Sequence, residues 1–241
     1  MNKSLLDTFI RKYYLGGTEP VESVMWTIKN KQLFTRFSTN DGTVIGEVTL
    51  KSIDLEDAEV GIYTTSQLQR LLGVMLSEVD ISFEKFGDKY VSMQVTDGQV
   101  KINYMVSEKN VISKVPSIAR EPEYNISILM DKPFMERFIK SKIALPEADK
   151  FTFLSKDGKS EIVIGYAANI NSNHIRLGVD CECGDVTPAS FKATYFKEIL
   201  VANREAESAT LNICSEGLAK ITFDINDFIS TYYLVEIRNN S

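Results

Sequence analysis

Four amphipathic helical stretches, each followed by a block of short alternating strands, set the plan of this chain. Leu68, Leu71, Leu72 and Met75 fall on one face of a helix over 66–76, with Arg70 opposite. Thr64, Thr65 and Ser66 offer N-cap oxygens just before it. Asp131-Lys132-Pro133 reads as a helix start, an acidic cap with an early proline. It opens a helix over 132–145 whose apolar stripe is Phe134, Met135, Phe138 and Leu145. A helix over 190–204 turns Phe191, Tyr195, Ile199 and Leu200 inward, and a first helix over 3–14 turns in Leu5, Phe9 and Tyr13. Strand-like runs fill the intervals. They are joined by acid-glycine turns at Asp41-Gly42, Asp97-Gly98, Asp157-Gly158 and Glu216-Gly217. Phe151 and Phe153 alternate with polar residues, as do Leu211 and Ile213, and 231–238 reads as a last strand. One helix with its strands spans about 50 to 65 residues, and four such units suggest internal duplication.

Residues 108–122 hold Pro116 and Pro122 and no clean period, so they read as a connector between halves 1–107 and 123–241. Val111, Ile112, Val115 and Ile118 are too many apolar residues for a free linker, and the connector is expected to lie along the sheets. The fold class is α+β: two similar domains, each with two helices packed on antiparallel sheets. A chain of 241 residues has room for two such cores.

The charges are unevenly placed. The four helical segments together carry +8, while the chain as a whole carries -6, which leaves -14 outside them. Such a split suits a protein that presents one surface to a polyanion and repels it elsewhere. The acidic total argues against a tight, sequence-reading DNA-binding domain, so DNA contact should be local and screened by salt. No apolar run approaches membrane-spanning length. Asp7 and Arg11 interrupt any leader-like apolar stretch, and cytoplasmic residence is expected.

Chemistry-bearing clusters are sparse. His174 is the one histidine and sits in a turn, Asn171-Ser-Asn-His, so a histidine-based triad has little to rest on. No phosphate-cradling glycine loop or dinucleotide fingerprint is present. Cys181, Cys183, Cys214 and His174 make a conceivable zinc set, but His174 has the wrong strand parity, and buried cysteines are the simpler reading. No metal, no cofactor and no catalytic activity are expected.

Several segments together resemble the DNA sliding clamps of T-even-type tailed bacteriophages. They are Ala58-Glu-Val-Gly-Ile-Tyr63 leading into Leu68-Gln-Arg-Leu-Leu72, Asp80-Ile-Ser-Phe83 with the strands to Met105, the 132–145 helix with Phe151-Thr-Phe153, and Tyr232-Tyr-Leu-Val-Glu-Ile237. The plan is also similar to that of two-domain, PCNA-like cellular clamps. The resemblance implies a DNA clamp fold assembled as a homotrimeric ring around duplex DNA, with helices lining the hole. It implies a processivity factor that tethers a DNA polymerase, is opened by an ATP-dependent clamp loader, and also serves late transcription factors. DNA-facing candidates are Arg11, Lys12, Arg70, Lys132, Arg137, Lys140, Lys192, Lys197 and Arg204, with Lys3 and Lys142 weaker. A partner pocket is expected near Ile112, Val115, Ile118, Tyr232, Tyr233 and Leu234. Subunit contact is expected along Val100, Ile102 and Tyr104 on one side and Ile175, Leu177 and Val179 on the other. The alternatives are a monomeric, non-ring processivity factor of the same fold and an unrelated enzyme.

Overall fold

The computed structural model describes residues 1–76, 78–118, 120–167 and 172–237. Ala119 of the connector, Asn171 of the histidine turn and Arg238 at the end of the last expected strand lie outside them. The chain divides into two compact units. One is Met1–Ser38 with Gly46–Pro116 and Asp224–Ser230; the other is Thr39–Ile45 with Ser117–Phe223 and Thr231–Ser241.

The first unit begins with helix α1 (Lys3–Tyr14), whose Asn2 side chain accepts from the Ser4 N–H at the cap. Its inward face is Leu6, Phe9, Ile10 and Tyr13, all without exposed surface. Strands β1 (Val24–Lys29), β2 (Gln32–Ser38), β3 (Val44–Leu50) and β4 (Ala58–Ile62) follow, in the order β4-β1-β2-β3. Phe9 meets Trp26 of β1 edge-on at 5.7 Å, and Tyr13 leans on Phe37 of β2 at 6.4 Å. A glycine is required opposite Phe37: a Cβ on Gly46 of β3 would lie 2.1 Å from its ring. The β1–β2 hairpin turns through Asn30 and Lys31, both at positive φ (52° and 59°), the pairing that matches strand twist.

Helix α2 (Thr65–Leu72) is shorter than the 66–76 expected from its stripe. Gly73 ends it, its N–H bonding the Gln69 carbonyl while the Val74 N–H takes the Leu71 carbonyl, although Met75 beyond remains buried. The expected cap oxygens of Thr64 and Ser66 do not cap it. The Glu22 carboxylate accepts from the Ser66 N–H at 2.8 Å, and the Thr65 hydroxyl donates to the Glu22 carbonyl. Strands β5 (Asp80–Phe86), β6 (Lys89–Thr96) and β7 (Lys101–Met105) form a separate antiparallel sheet, β5-β6-β7. After it the connector returns to β4. The Ser107 N–H bonds the Gly61 carbonyl at 2.8 Å, and Ile112 packs so closely over Gly61 that a Cβ there would sit 3.0 Å from its Cγ1.

The second unit repeats the order. It holds β8 (Ile126–Asp131), α3 (Lys132–Ala144), β9 (Lys150–Lys156), β10 (Lys159–Ile164), β11 (Ile175–Val179), β12 (Val186–Lys192), α4 (Ala193–Ala202), β13 (Ser208–Ile213) and, apart from Asp224–Ser230, β14 (Leu218–Ile225) and β15 (Phe228–Val235). Its sheets run β11-β10-β9-β12 and β15-β14-β13-β8. Asp131 caps α3 by accepting from the Phe134 N–H. Phe138 is the hub of the core, with Phe151 at 5.4 Å and Phe196 at 4.9 Å. Such rings supply most of the burial that holds a helix pair on its sheet. Helix α4 is shorter than the expected 190–204, because Ser190, Phe191 and Lys192 stay extended, pairing with Thr152, Phe151 and Lys150 of β9. Phe191 is still buried, but as a strand residue. Each unit thus sets two helices against each other and against antiparallel strands, and the two are similar in plan.

Candidate nucleic-acid interface

The basic residues of the helices fall into distinct environments. On α2, Arg70 is exposed at the end opposite the buried Leu68 and Leu72. On α3, Arg137 and Lys140 are exposed and three residues apart, hence on one face. Arg137 bonds only back to the Pro133 carbonyl, Nε to O at 3.3 Å. Arg204 is exposed just beyond α4 rather than within it. These four have no carboxylate partner among the described residues. Their charge is therefore available to a ligand.

Four other candidates already have partners. Lys132 bridges to Glu207 at 2.7 Å, Lys197 to its neighbour Glu198 at 2.5 Å, and Lys192 to Asp149 at 2.9 Å and Asp41 at 4.0 Å. The Lys132 pair is open to water, and exposed pairs contribute only about 0–1 kcal/mol, so a phosphate can replace Glu207 at small cost. Lys192 is held by two carboxylates at the α4 N-cap and is a poor phosphate donor. Arg11 is half-buried, its guanidinium 3.5 Å from the Thr8 hydroxyl.

Lys12 corrects the sequence expectation. It has no exposed surface, and its ammonium lies 5.5 Å from the centre of the Phe228 ring. It follows Phe9 by three positions and so shares the helix's inward stripe. Of the two weaker candidates, Lys3 pairs with Asp7 at 2.8 Å. Lys142 is buried, its ammonium donating to the Leu145 and Pro146 carbonyls at the end of α3. Burial pushes the Lys142 pKa down.

The two strands expected at subunit edges are both sheet edges: β7 ends the β5-β6-β7 sheet and β11 ends the β11-β10-β9-β12 sheet. An edge strand presents a row of backbone donors and acceptors to whatever lies beside it. Side-chain parity on β7 is opposite to expectation. Ile102 and Tyr104 point into the core, the Tyr104 hydroxyl donating to the Thr64 carbonyl. Lys101, Asn103 and Met105 point out, Met105 with 65% of its surface exposed. Strand alternation was the signal that separates these sets. Val100 is exposed but belongs to the turn before β7, tied to the Asp97 carboxylate through its N–H. On β11, Ile175, Leu177 and Val179 are half-buried.

The expected partner pocket does not stand as drawn. Tyr232 and Leu234 have no exposed surface, and the Tyr232 hydroxyl accepts from the Asn203 amide at 3.0 Å. They are core residues, since β15 buries both parities over this stretch. Tyr233 is 9% exposed, with its hydroxyl donating to Glu121 and Lys220 over its ring. Ile112 is buried against Gly61, while Val115 and Ile118 are half-buried. Sequence reasoning missed a cavity of about 600 Å³ in the first unit, lined in part by Lys29, Asp57, Glu59, Tyr90 and Glu108. Its walls come from four separated segments, so no local pattern marks it.

His174 is exposed, with Nδ1 2.9 Å from the Ser172 carbonyl. Cys214 is buried and accepts from the Leu218 N–H. Among the described residues no three of His, Cys, Asp and Glu gather as a metal site.

No protein-family model and no curated protein matches the chain. Solved structures match over nearly its whole length. A proliferating cellular nuclear antigen from Entamoeba histolytica superposes with a TM-score of 0.73 at 12% identity, covering 98% of this chain and 96% of that one. The A. fulgidus PCNA bound to the C-terminal region of FEN-1 gives 0.73 at 16% identity, covering 100% and 98%. A chain of the PCNA2-PCNA3 complex from Sulfolobus tokodaii gives 0.70 at 13%, covering 98% and 97%. At these identities the likeness is one of fold: the chain has the two-domain DNA clamp fold of PCNA-type sliding clamps.

Proposed function

We propose that the chain is a sliding clamp, a non-catalytic processivity factor that encircles duplex DNA and tethers a DNA polymerase. The observation that carries this reading is the pairing of a full-length clamp fold with exposed, uncompensated cations on the helices of an acidic chain. Three copies close head to tail through the β7 and β11 edges, a heterologous contact that must close to give a finite assembly. A ring needs little DNA affinity because topology holds it, and a few Lys or Arg contacts to phosphates permit sliding. Arg70, Arg137, Lys140 and Arg204 supply these contacts, assisted by Arg11, Lys132 and Lys197.

The A. fulgidus neighbour holds the C-terminal region of another protein, and the Sulfolobus neighbour pairs two clamp chains. Both support a chain that binds short protein tails and like subunits. The resemblance to T-even-type phage clamps extends the proposal to an ATP-dependent loader, late transcription factors and the cytoplasm of a bacterial host. The connector over 108–122 and strand β15, whose Tyr233 hydroxyl donates to Glu121 of the connector, are the region proposed for the tails. Light scattering over a concentration series tests the ring, with trimer mass as the expected result. A strict monomer at high micromolar concentration refutes it in favour of a non-ring module of the same fold.

A further inference from the structure

We infer that Cys181 and Cys183 form an oxidisable dithiol that closes into an intrachain disulfide and loosens the edge at β11. Both residues follow the end of β11 and precede β12. Both are half-buried, so small oxidants reach them. Their sulfurs lie 2.7 Å apart, the Cys181 thiol donating to Cys183. Two polar hydroxyls flank the second sulfur. Ser160 Oγ lies 3.8 Å from Cys183 Sγ, and Ser155 Oγ, which accepts from Ser160, donates to the Cys183 carbonyl at 3.4 Å. Burial raises the Cys183 pKa, but the Cys181 thiol donating to it and the polar serine hydroxyls beside it outweigh burial, and the thiol lies below its ordinary value. Burial and the contact with Cys183 push Cys181 up to about 11. The Cys181 thiol donates to Cys183, which makes Cys183 the nucleophile and Cys181 its resolving partner.

The oxidant is a peroxide or a low-molecular-weight disulfide. With hydrogen peroxide, the Cys183 thiolate attacks one oxygen, the O–O bond breaks, and water leaves after protonation, giving a sulfenic acid. The Cys181 sulfur then attacks that sulfur, and its proton departs with the hydroxyl as a second water. Two thiols and one peroxide give one disulfide and two waters. Cys214 takes no part, being buried and bonded from the Leu218 N–H.

Closure has a backbone consequence. Residues i and i+2 of an extended chain are about 6.6–7.2 Å apart, a range that straddles the roughly 6.8 Å upper limit of Cα separations that disulfides span. Drawing the sulfurs from 2.7 Å to bonding distance bends the segment about Glu182. The bend falls directly after Val179, whose partner in the ladder is Ser160, the residue that also flanks Cys183. Oxidation therefore disturbs the end of β11, the strand assigned above to subunit contact. That consequence rests on the ring reading; the thiol chemistry does not.

The test treats the full chain with hydrogen peroxide or oxidised glutathione and measures free thiols, intact mass and light scattering. Expected are a fall from three thiols to one, a mass lower by two hydrogens, loss of trimer mass, and recovery of all three with dithiothreitol. The Cys183→Ser variant should keep its remaining thiols and its assembly under the same treatment. Three persisting thiols in the wild type, or an intermolecular disulfide only, overturn the dithiol. A disulfide that forms while the trimer persists overturns the effect on β11. A reduced protein that is already monomeric refutes the ring reading instead, and the dithiol is then judged by thiol count and mass alone.

Discussion

Replacing Arg137 and Lys140 together by Ala should lower the salt sensitivity of DNA binding without weakening the fold. Both side chains are exposed on α3, and among the described residues Arg137 bonds only within its own helix turn, to the Pro133 carbonyl. Ala is the best helix former, so stability should change by no more than about 0.5 kcal/mol. The DNA term is larger. Each phosphate neutralised contributes about 0.9 to the slope of log affinity against log salt. Two lost contacts lower the slope by up to about 1.8 per chain, and by about 5 where three copies act together. Between roughly 50 and 200 mM salt each contact accounts for about a threefold change in affinity, so the effect is measurable at low salt.

Fluorescence anisotropy on two short duplexes of unrelated sequence, over a salt series, reads the slope directly. Loss should be equal on both duplexes, because phosphate contacts carry no base information. Reversal of both residues to Glu should further impair loading onto circular DNA and retention there. Glu56→Lys, an exposed change on the acidic remainder, should spare both measurements. Asp57 is left alone because its carboxylate accepts from the Asn30 N–H. An unchanged slope in the double Ala variant means that α3 does not face DNA, and the argument from segregated charge fails.

Other expectations concern packing, capping and the edge. Phe138→Ala should cost about 3–5 kcal/mol in urea unfolding, since the ring is fully buried against Phe151 and Phe196, and a loss under 1 kcal/mol would contradict its place as the core hub. Glu22→Ala should cost about 1 kcal/mol by uncapping α2, with Glu22→Gln recovering part; equal loss in both would point to charge rather than capping. Gly46→Ala should cost roughly 1–3 kcal/mol through the Phe37 ring, and a paired Phe37→Leu should relieve it. Met105→Glu should weaken self-association while leaving monomer stability within about 0.5 kcal/mol, since its side chain points out from β7.

Local chemistry decided which features were legible in the sequence. All four acid-glycine turns lie between paired strands, because glycine at positive φ closes a hairpin whatever surrounds it. The Asn30-Lys31 hairpin has the same backbone requirement but no glycine, and it gave no comparable mark. Helix α3 matched its expected span to one residue because Asp131 and Pro133 fix its start locally. Helix α4 did not, since only pairing with β9, forty residues earlier in the chain, keeps Ser190–Lys192 extended.

The candidate site divides along the same line. Arg70, Arg137 and Lys140 sit opposite strong apolar stripes, and periodicity alone placed them outside. Arg11 and Lys12 lie on α1, whose buried face takes in Leu6, Phe9, Ile10 and Tyr13 and so spans more of the helix than the expected stripe. A charged residue adjoining so wide a face is assigned to water or core by its tertiary neighbours, here the Phe228 ring. Pairing is also tertiary: nothing in the local sequence of Lys132 or Lys192 announces Glu207 or Asp149. Counting basic residues on helices therefore overstates the charge presented to a polyanion. Among the described residues the helices leave a smaller set uncompensated, Arg70, Arg137, Lys140 and Arg204, and so few cations suit transient phosphate contact better than tight binding.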